Sequence, residues 1–310
     1  MILTICPNPS IDCTIELESL NVGMLNRVDN KVETYSGKAL NVAMGIARLG
    51  EKSFATGFMF DNHARLFEHV LDEEGVNHQF IYNSGNARTN YKIIDKKAML
   101  TEINDKGEKV PPEKQAELIE LVKKISPDFE IAVMSGSLPK GVEPGFYGRV
   151  IENIPKEVKV IIDAEKMNTL SAINAREIFM VKPNLRELEE FAGREVTSIP
   201  DIVSACGAYL EKGVKYVLVS LGAEGALLTD GKESYFCKSA NVAVNSTVGA
   251  GDSMIAAACI GIEQNKPMAE VLRMAAAAGT AMVTTSGTKL FSKDKYNEIY
   301  AKIYSEKIDV

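Results

Sequence analysis

The segment Asn245–Cys259 reads NSTVGAGDSMIAAAC. Gly249, Ala250 and Gly251 stand directly before Asp252, and a run of small apolar residues follows. Such a run suits a buried helix. The glycines would then lie at or just before its N-terminus, where glycine tolerates positive φ and exposes backbone N–H groups. A helix N-terminus with bare amides is an anion site. Phosphoryl transfer spreads negative charge over the phosphoryl oxygens, and fixed N–H donors stabilise it. A carboxylate beside them can accept the proton of an attacking hydroxyl. From these residues alone, a Gly-rich turn with Asp252 as a first-turn acid is an equally good reading.

Other short motifs carry chemistry-bearing residues. Asp12 follows the extended NPSI and could be a strand-end turn acid. Gly37 and Lys38 precede a helical stretch whose first turn holds Asn41. Ser137 lies in SGSLP, just after the apolar EIAVM, and loops at the C-terminal ends of parallel strands are where open α/β sheets bind ligands. Lys182, Asn184 and Glu187 form KPNxxE, in which Asn184 and Glu187 have the spacing of a capping box. Ser220, Gly222 and Gly225 lie in SLGAEG after YVLV, a stretch that also suits a hairpin turn. No GxxxxGK[ST] stretch exists, so the nucleotide site is not of the Walker type.

Taken together, TVGAGD, NPSID, SGKALNVA, SGSLPKG, KPNLRELE and SLGAEGA resemble, in kind and order, the motifs of the PfkB, or ribokinase-like, family of carbohydrate kinases. The similarity extends to its sugar-phosphate branch, the tagatose-6-phosphate kinase and 1-phosphofructokinase group. The resemblance implies a three-layer αβα sandwich with a mostly parallel sheet and a small β-sheet lid. It implies ATP and Mg2+ as cofactors and leaves room for a monovalent cation. Asp252 would be the general base, with Gly249, Ala250 and Gly251 as the anion hole. Asp12, Gly37, Asn41 and Ser137 would bind the sugar. Lys182, Asn184, Ser220, Gly222 and Gly225 would lie along the nucleotide, with Glu187 reaching Mg2+ indirectly, and Met274–Val283 would wall the adenine. Ser36 and Ala39 stand where the branch commonly has glycines, which touches the detailed sugar preference.

Three bases, Arg27, Lys38 and Arg88, lie in or beside the segments assigned to the sugar, where the branch binds the phosphate its substrate already carries. Arginine offers a planar fork to phosphate oxygens and lysine a point charge. The expected reaction is ATP-dependent phosphorylation of a ketohexose phosphate to a hexose bisphosphate. The alternatives are a kinase of an unphosphorylated sugar or nucleoside, and a non-catalytic metabolite-binding module of the same fold.

These residues need elements to position them. MILTIC, KSFATGFM, EIAVMSG, VKVIIDA, IFMVKPN and YVLVSLG read as buried strands. Helical stretches alternate with many of them: one stops at Gly50, one opens at the Pro111–Pro112 pair and one ends at Gly213. This rhythm predicts a mostly parallel sheet covered on both faces. Two segments, about 11–36 and 79–106, show partial alternation and turn residues instead. They are read as a discontinuous lid on a single domain spanning 1–310, with edge strands of the main sheet as the competing reading. Exposed strands with free edges tend to be covered, here by closure or by the lid of a second copy in a homodimer.

The bulk properties fit. The chain has 310 residues, 45% hydrophobic and 25% charged, with a net charge of −7. That balance argues against broad nucleic-acid or anionic-membrane binding while leaving room for local basic pockets. No apolar run approaches the ~20 residues of a membrane span. The five cysteines include no CxxC pair, and the N-terminus has no basic n-region, so a cytoplasmic protein with reduced thiols is expected.

Overall fold

Strands only four to eight residues long, separated by amphipathic stretches, build this structure. It is a computed structural model that describes residues 1–97, 99–285 and 290–309. In chain order the elements are β1 (Ile2–Cys6), β2 (Ser10–Leu17), β3 (Asn30–Ser36), α1 (Lys38–Leu49), β4 (Ser53–Phe60), α2 (Ala64–Glu73), β5 (Asn77–Asn83), β6 (Arg88–Asp95), β7 (Leu100–Asn104), α3 (Pro112–Ile125), β8 (Ile131–Ser135), α4 (Gly145–Ile151), β9 (Lys159–Asp163), α5 (Lys166–Ala175), β10 (Ile178–Val181), α6 (Leu185–Ala192), α7 (Ile199–Leu210), β11 (Val214–Ser220), β12 (Gly225–Thr229), β13 (Ser234–Lys238), α8 (Ala250–Glu263), α9 (Met268–Val283), α10 (Lys293–Tyr300) and β14 (Ser305–Ile308).

The main sheet has ten strands in the order β14-β13-β12-β11-β10-β9-β8-β1-β4-β5. From β5 to β11 every pairing is parallel, and β12 to β14 extend one edge antiparallel. Every residue of β1 and β8 is buried, as strands covered on both faces require. Helix α1 packs on β1, β4 and β8, and helices α8, α9 and α10 join it in one group. Helices α3 to α7 form the other, with α3 on β5, α5 on β9 and α7 on β11.

The chain runs from β1 outward to β4 and β5, then crosses to β8 and outward the other way. The strand order therefore reverses between β1 and β8. A crevice opens there, at the C-terminal strand ends.

A second sheet of four strands, in the order β3-β2-β6-β7, leaves the end of β1. One expectation about it needs correction. The alternating pattern places residues 79–83 in this sheet, but they belong to β5, which pairs with β4 in parallel as the edge of the main sheet. An edge strand with one buried face has the same two-residue period as a strand of a small sheet, and period carries no information about partners. Among the described residues, no helix is long and apolar enough to cross a membrane.

Candidate active site

The first turn of α8 holds the glycine motif. Gly249 is the N-cap residue at φ 78, a left-handed conformation that glycine adopts without strain, and Asp252 is the acid of the first turn. A Cβ built on Gly251 would lie 2.9 Å from Lys182 Nζ, so the absence of a side chain there is what lets the Lys182 ammonium sit against the turn. Asn41, in the first turn of α1, donates from Nδ2 to Asp252 Oδ2 at 2.8 Å.

The Asp252 carboxyl is buried, and burial pushes its pKa up to about 6. The nearby Lys38 ammonium pulls the other way, while Asp163 pushes it further up. Lys38 itself is raised well above the usual lysine value, chiefly by Asp163. Asp163 ends β9. Burial alone would raise its carboxyl, but Lys182 and Lys38 together outweigh that and hold it below the usual aspartate value.

The small sheet supplies the opposite wall. Arg88, Asn90 and Lys92 alternate along β6 and stand in register with Ser10, Asp12 and Thr14 of β2, so all six share the face turned to the cleft. The buried Asp12 accepts hydrogen bonds from Lys92 Nζ at 2.9 Å, Asn90 Nδ2 at 3.0 Å and Ser10 Oγ at 3.4 Å. Arg88 is less committed. Its Nη1 reaches Asn90 Oδ1 only at 3.5 Å, and its buried Nε has no hydrogen-bond partner among the described residues.

These groups line one cleft of about 1040 Å³. Asp12, Gly37, Lys38, Asn41, Arg88, Lys182, Asn184, Glu187, Ser220, Gly222, Gly225 and the Gly249–Asp252 turn all border it. Ala276, Gly279, Thr280 and Val283 of α9 contribute small side chains. Two expected residues are not brought in. Arg27 is exposed on the loop joining β2 to β3 and does not border the cleft. Ser137 faces Asn8, whose Nδ2 donates to its hydroxyl at 3.3 Å.

The capping and hairpin readings also hold. Glu187 N–H donates to Asn184 Oδ1 at 2.9 Å and Asn184 N–H to Glu187 Oε2 at 2.8 Å, a capping box on α6. SLGAEG forms the turn between β11 and β12, so this hairpin is also a rim of the cleft. Ala39 is fully buried and does not border the cleft, whereas Ser36 does.

Sequence reading missed Asp163, Asn90 and Lys92. A carboxylate closing the apolar VKVIIDA was a signal for the first, since that is where such sheets bind ligands. Two-residue spacing from Arg88 was the signal for the other two.

The pfkB family carbohydrate kinase profile matches residues 7–295. The chain belongs to the pfkB family of carbohydrate kinases. This carbohydrate kinase is 30% identical over 304 residues to 1-phosphofructokinase from Vibrio cholerae, covering 97% of this chain and 95% of that protein. It is 28% identical over 306 residues to tagatose-6-phosphate kinase from Staphylococcus epidermidis, covering 98% of each. In structure it is similar to phosphofructokinase-2 from Escherichia coli in complex with substrates and products, with a TM-score of 0.91, 29% identity and coverage of 97% of this chain and 98% of that one. The same Escherichia coli enzyme in complex with potassium matches at a TM-score of 0.90 and 29% identity over 97% of this chain and 98% of that one.

The contact between Gly251 and Lys182 makes a local test. In Gly251→Ala the new methyl must push the lysine tip aside, which a flexible chain end can do without unfolding the helix. Melting temperature should stay within a few degrees of wild type, while kcat falls about 10²-fold because the ammonium is displaced from the turn. Wild-type turnover in Gly251→Ala would show that the contact has no role.

Proposed function

We propose that this carbohydrate kinase transfers the γ-phosphoryl group of ATP to a hydroxyl of a ketohexose phosphate, giving a hexose bisphosphate and ADP. The observation that carries the reading is one cleft with two chemically distinct walls. A buried carboxylate under an amide-rich turn forms one, and an arginine with an uncommitted buried Nε forms the other. The names of the similar proteins support the same substrate class.

In this reading Asn41 holds Asp252 by Oδ2 and leaves Oδ1 to take the proton of the attacking hydroxyl. As the proton moves, the hydroxyl oxygen bonds to the γ-phosphorus, the bond to the bridging oxygen breaks, and ADP departs with that electron pair. A base with a pKa near 6 is ionised at neutral pH and better matched to proton transfer there than an ordinary aspartate. The N–H groups of the Gly249–Gly251 turn and the Lys182 ammonium face the charge that develops.

The residues present fit a nucleotide and a divalent cation. The turn is a cradle that a Cβ at Gly251 would fill, and Lys182 and Asn184 border it. Glu187 would hold Mg2+ through water, and the ion when bound would neutralise and orient the phosphate oxygens. Small side chains of α9 leave width for a flat ring. A monovalent cation belongs to the same proposal, by likeness to the potassium-bound neighbour.

Arg88, Lys92 and Lys38 form the cationic side of the sugar half, within a protein of net charge −7. A phosphorylated sugar gives that side a partner, and a neutral sugar does not. The loop joining β2 to β3 and the strand β7 expose apolar side chains: Val22 is 92%, Leu25 80%, Met24 73% and Ile103 56% accessible. We assign them to a lid-to-lid homodimer, in which each copy covers the other's exposed side chains. Sedimentation should return a dimer mass, and a monomer at micromolar concentration would remove this part.

Product analysis by 31P NMR over a panel of fructose 1-phosphate, fructose 6-phosphate, tagatose 6-phosphate and the free sugars tests the reaction. At least one phosphorylated ketohexose should yield a bisphosphate. Arg88→Leu should raise KM for that substrate at least ~10-fold through loss of a charge-assisted contact, with little change on a free sugar. Preference of the wild type for free sugars, or an equal loss on both classes, would contradict the reading.

A further inference from the structure

Asp163 is the buried meeting point of the two halves of the cleft. Its Oδ2 accepts hydrogen bonds from Lys38 Nζ and from Ser135 Oγ, both at 3.3 Å, and its Oδ1 lies 3.5 Å from Lys182 Nζ. Ser135 Oγ also donates to the Asp163 carbonyl at 3.0 Å and the Gly136 N–H to the same oxygen at 3.1 Å, so β8 fixes the residue at its side chain and its backbone. The two lysines arrive from different walls. Lys38 begins α1 beside Gly37 and opens to the cleft. Lys182 follows β10, is buried, and lies against Gly251.

We propose that Asp163 is a positioning residue for phosphoryl transfer, a shared counter-ion that holds Lys38 on the sugar side and Lys182 on the nucleotide side. The inference rests on the function proposed above. Lysine is a point charge on a flexible four-carbon stem, and its direction is set by what it pairs with. One rigid carboxylate therefore fixes two ammoniums at once, and its loss releases both. The same carboxylate is a like charge for Asp252. Around Asp252 stand Lys38 and Asn41 from α1, Asp163 from β9 and Lys182 after β10, while Glu187 at the start of α6 acts on Lys38. Removing Asp163 takes away a neighbour that raises the base and leaves two lysines whose nearest buried carboxylate is Asp252. Both changes favour the ionised base.

The test compares Asp163→Asn, Lys38→Met and the double variant with wild type. In Asp163→Asn, kcat should fall about 10²-fold and KM should rise for both substrates, because ammoniums on both walls are misplaced. The acid limb of kcat should move down by about one pH unit. In Lys38→Met it should move up, because a cation that favours the ionised base is gone. Opposite movements of one limb are a pattern that a merely structural role does not produce. Asp163→Asn leaves two ammoniums, one of them the buried Lys182, without their partner and can lose stability. The double variant restores the balance of one carboxylate and one ammonium, and if Asp163 acts through Lys38 its removal there costs less in kcat than it does alone. Carbon-13 NMR of the Asp252 carboxyl in the ligand-free protein, assigned with Asp252→Asn, reads the same shifts without turnover. A wild type that phosphorylates no ketohexose phosphate would remove the proposed function, and the NMR titration would still decide the electrostatic role of Asp163. Unchanged kcat and limb in Asp163→Asn, full additivity in the double variant, or an Asp252 titration that does not move would overturn the proposal.

Discussion

A charge can be buried only beside its opposite, and the floor of this cleft is built on that constraint. Asp163 and Asp252 stand with Lys38 and Lys182 where the parallel strands end. Each depends on the others. Without Asp163 the lysines have no fixed direction, and without the lysines two buried carboxylates would repel each other and protonate. The parallel sheet matters to function chiefly because it delivers these groups together. Ser135, Asp163, Lys182 and Ser220 each end a strand or directly follow one. Helix α8 then brings Asp252 in from above, with the Gly249–Gly251 turn leaving room for Lys182.

The second wall follows the same logic with different residues. Asp12 is buried, so it must be paired, and Lys92 and Asn90 on the neighbouring strand satisfy it. That fixes the register of β2 against β6, which also places Arg88 in the cleft lining. Buried polar groups on that face are expensive to keep unless they are paired or something binds there. Tyr91 and Ile103 on β6 and β7, with the 18–29 loop, carry the exposed apolar side chains that a second copy would cover.

The local parts of this arrangement were legible in the sequence because they are local. A glycine at positive φ before a helix, a capping box four residues long and an apolar run ended by glycine or proline are each set by neighbours in the chain. The parallel sheet followed from the same runs. What was not legible is set by distance. Lys38 and Asp163 are 125 residues apart, Asn41 and Asp252 are 211, and nothing near either member announces the partner. The strand β5 was misplaced because alternation describes a face, not a neighbour. Arg27 has chemistry that suits a phosphate, and in the single chain it is exposed and outside the cleft lining, a placement that its local sequence does not announce. Ser137 follows β8 at the strand end, where its hydroxyl accepts from Asn8 and the residue does not border the cleft.

In the proposed mechanism Asp252 is the base, its pKa is set by burial against the pull of Lys38, and the pH dependence of turnover reports that balance directly. The measurement is kcat for the wild type at saturating ATP and sugar phosphate, from about pH 5 to about pH 8. A protonated Asp252 cannot take the hydroxyl proton, so the rate should fall as pH falls, with an apparent pKa of about 6. A kcat that stays flat down to about pH 5, in a protein that remains folded, would mean that the base titrates as an ordinary carboxylate or is another group.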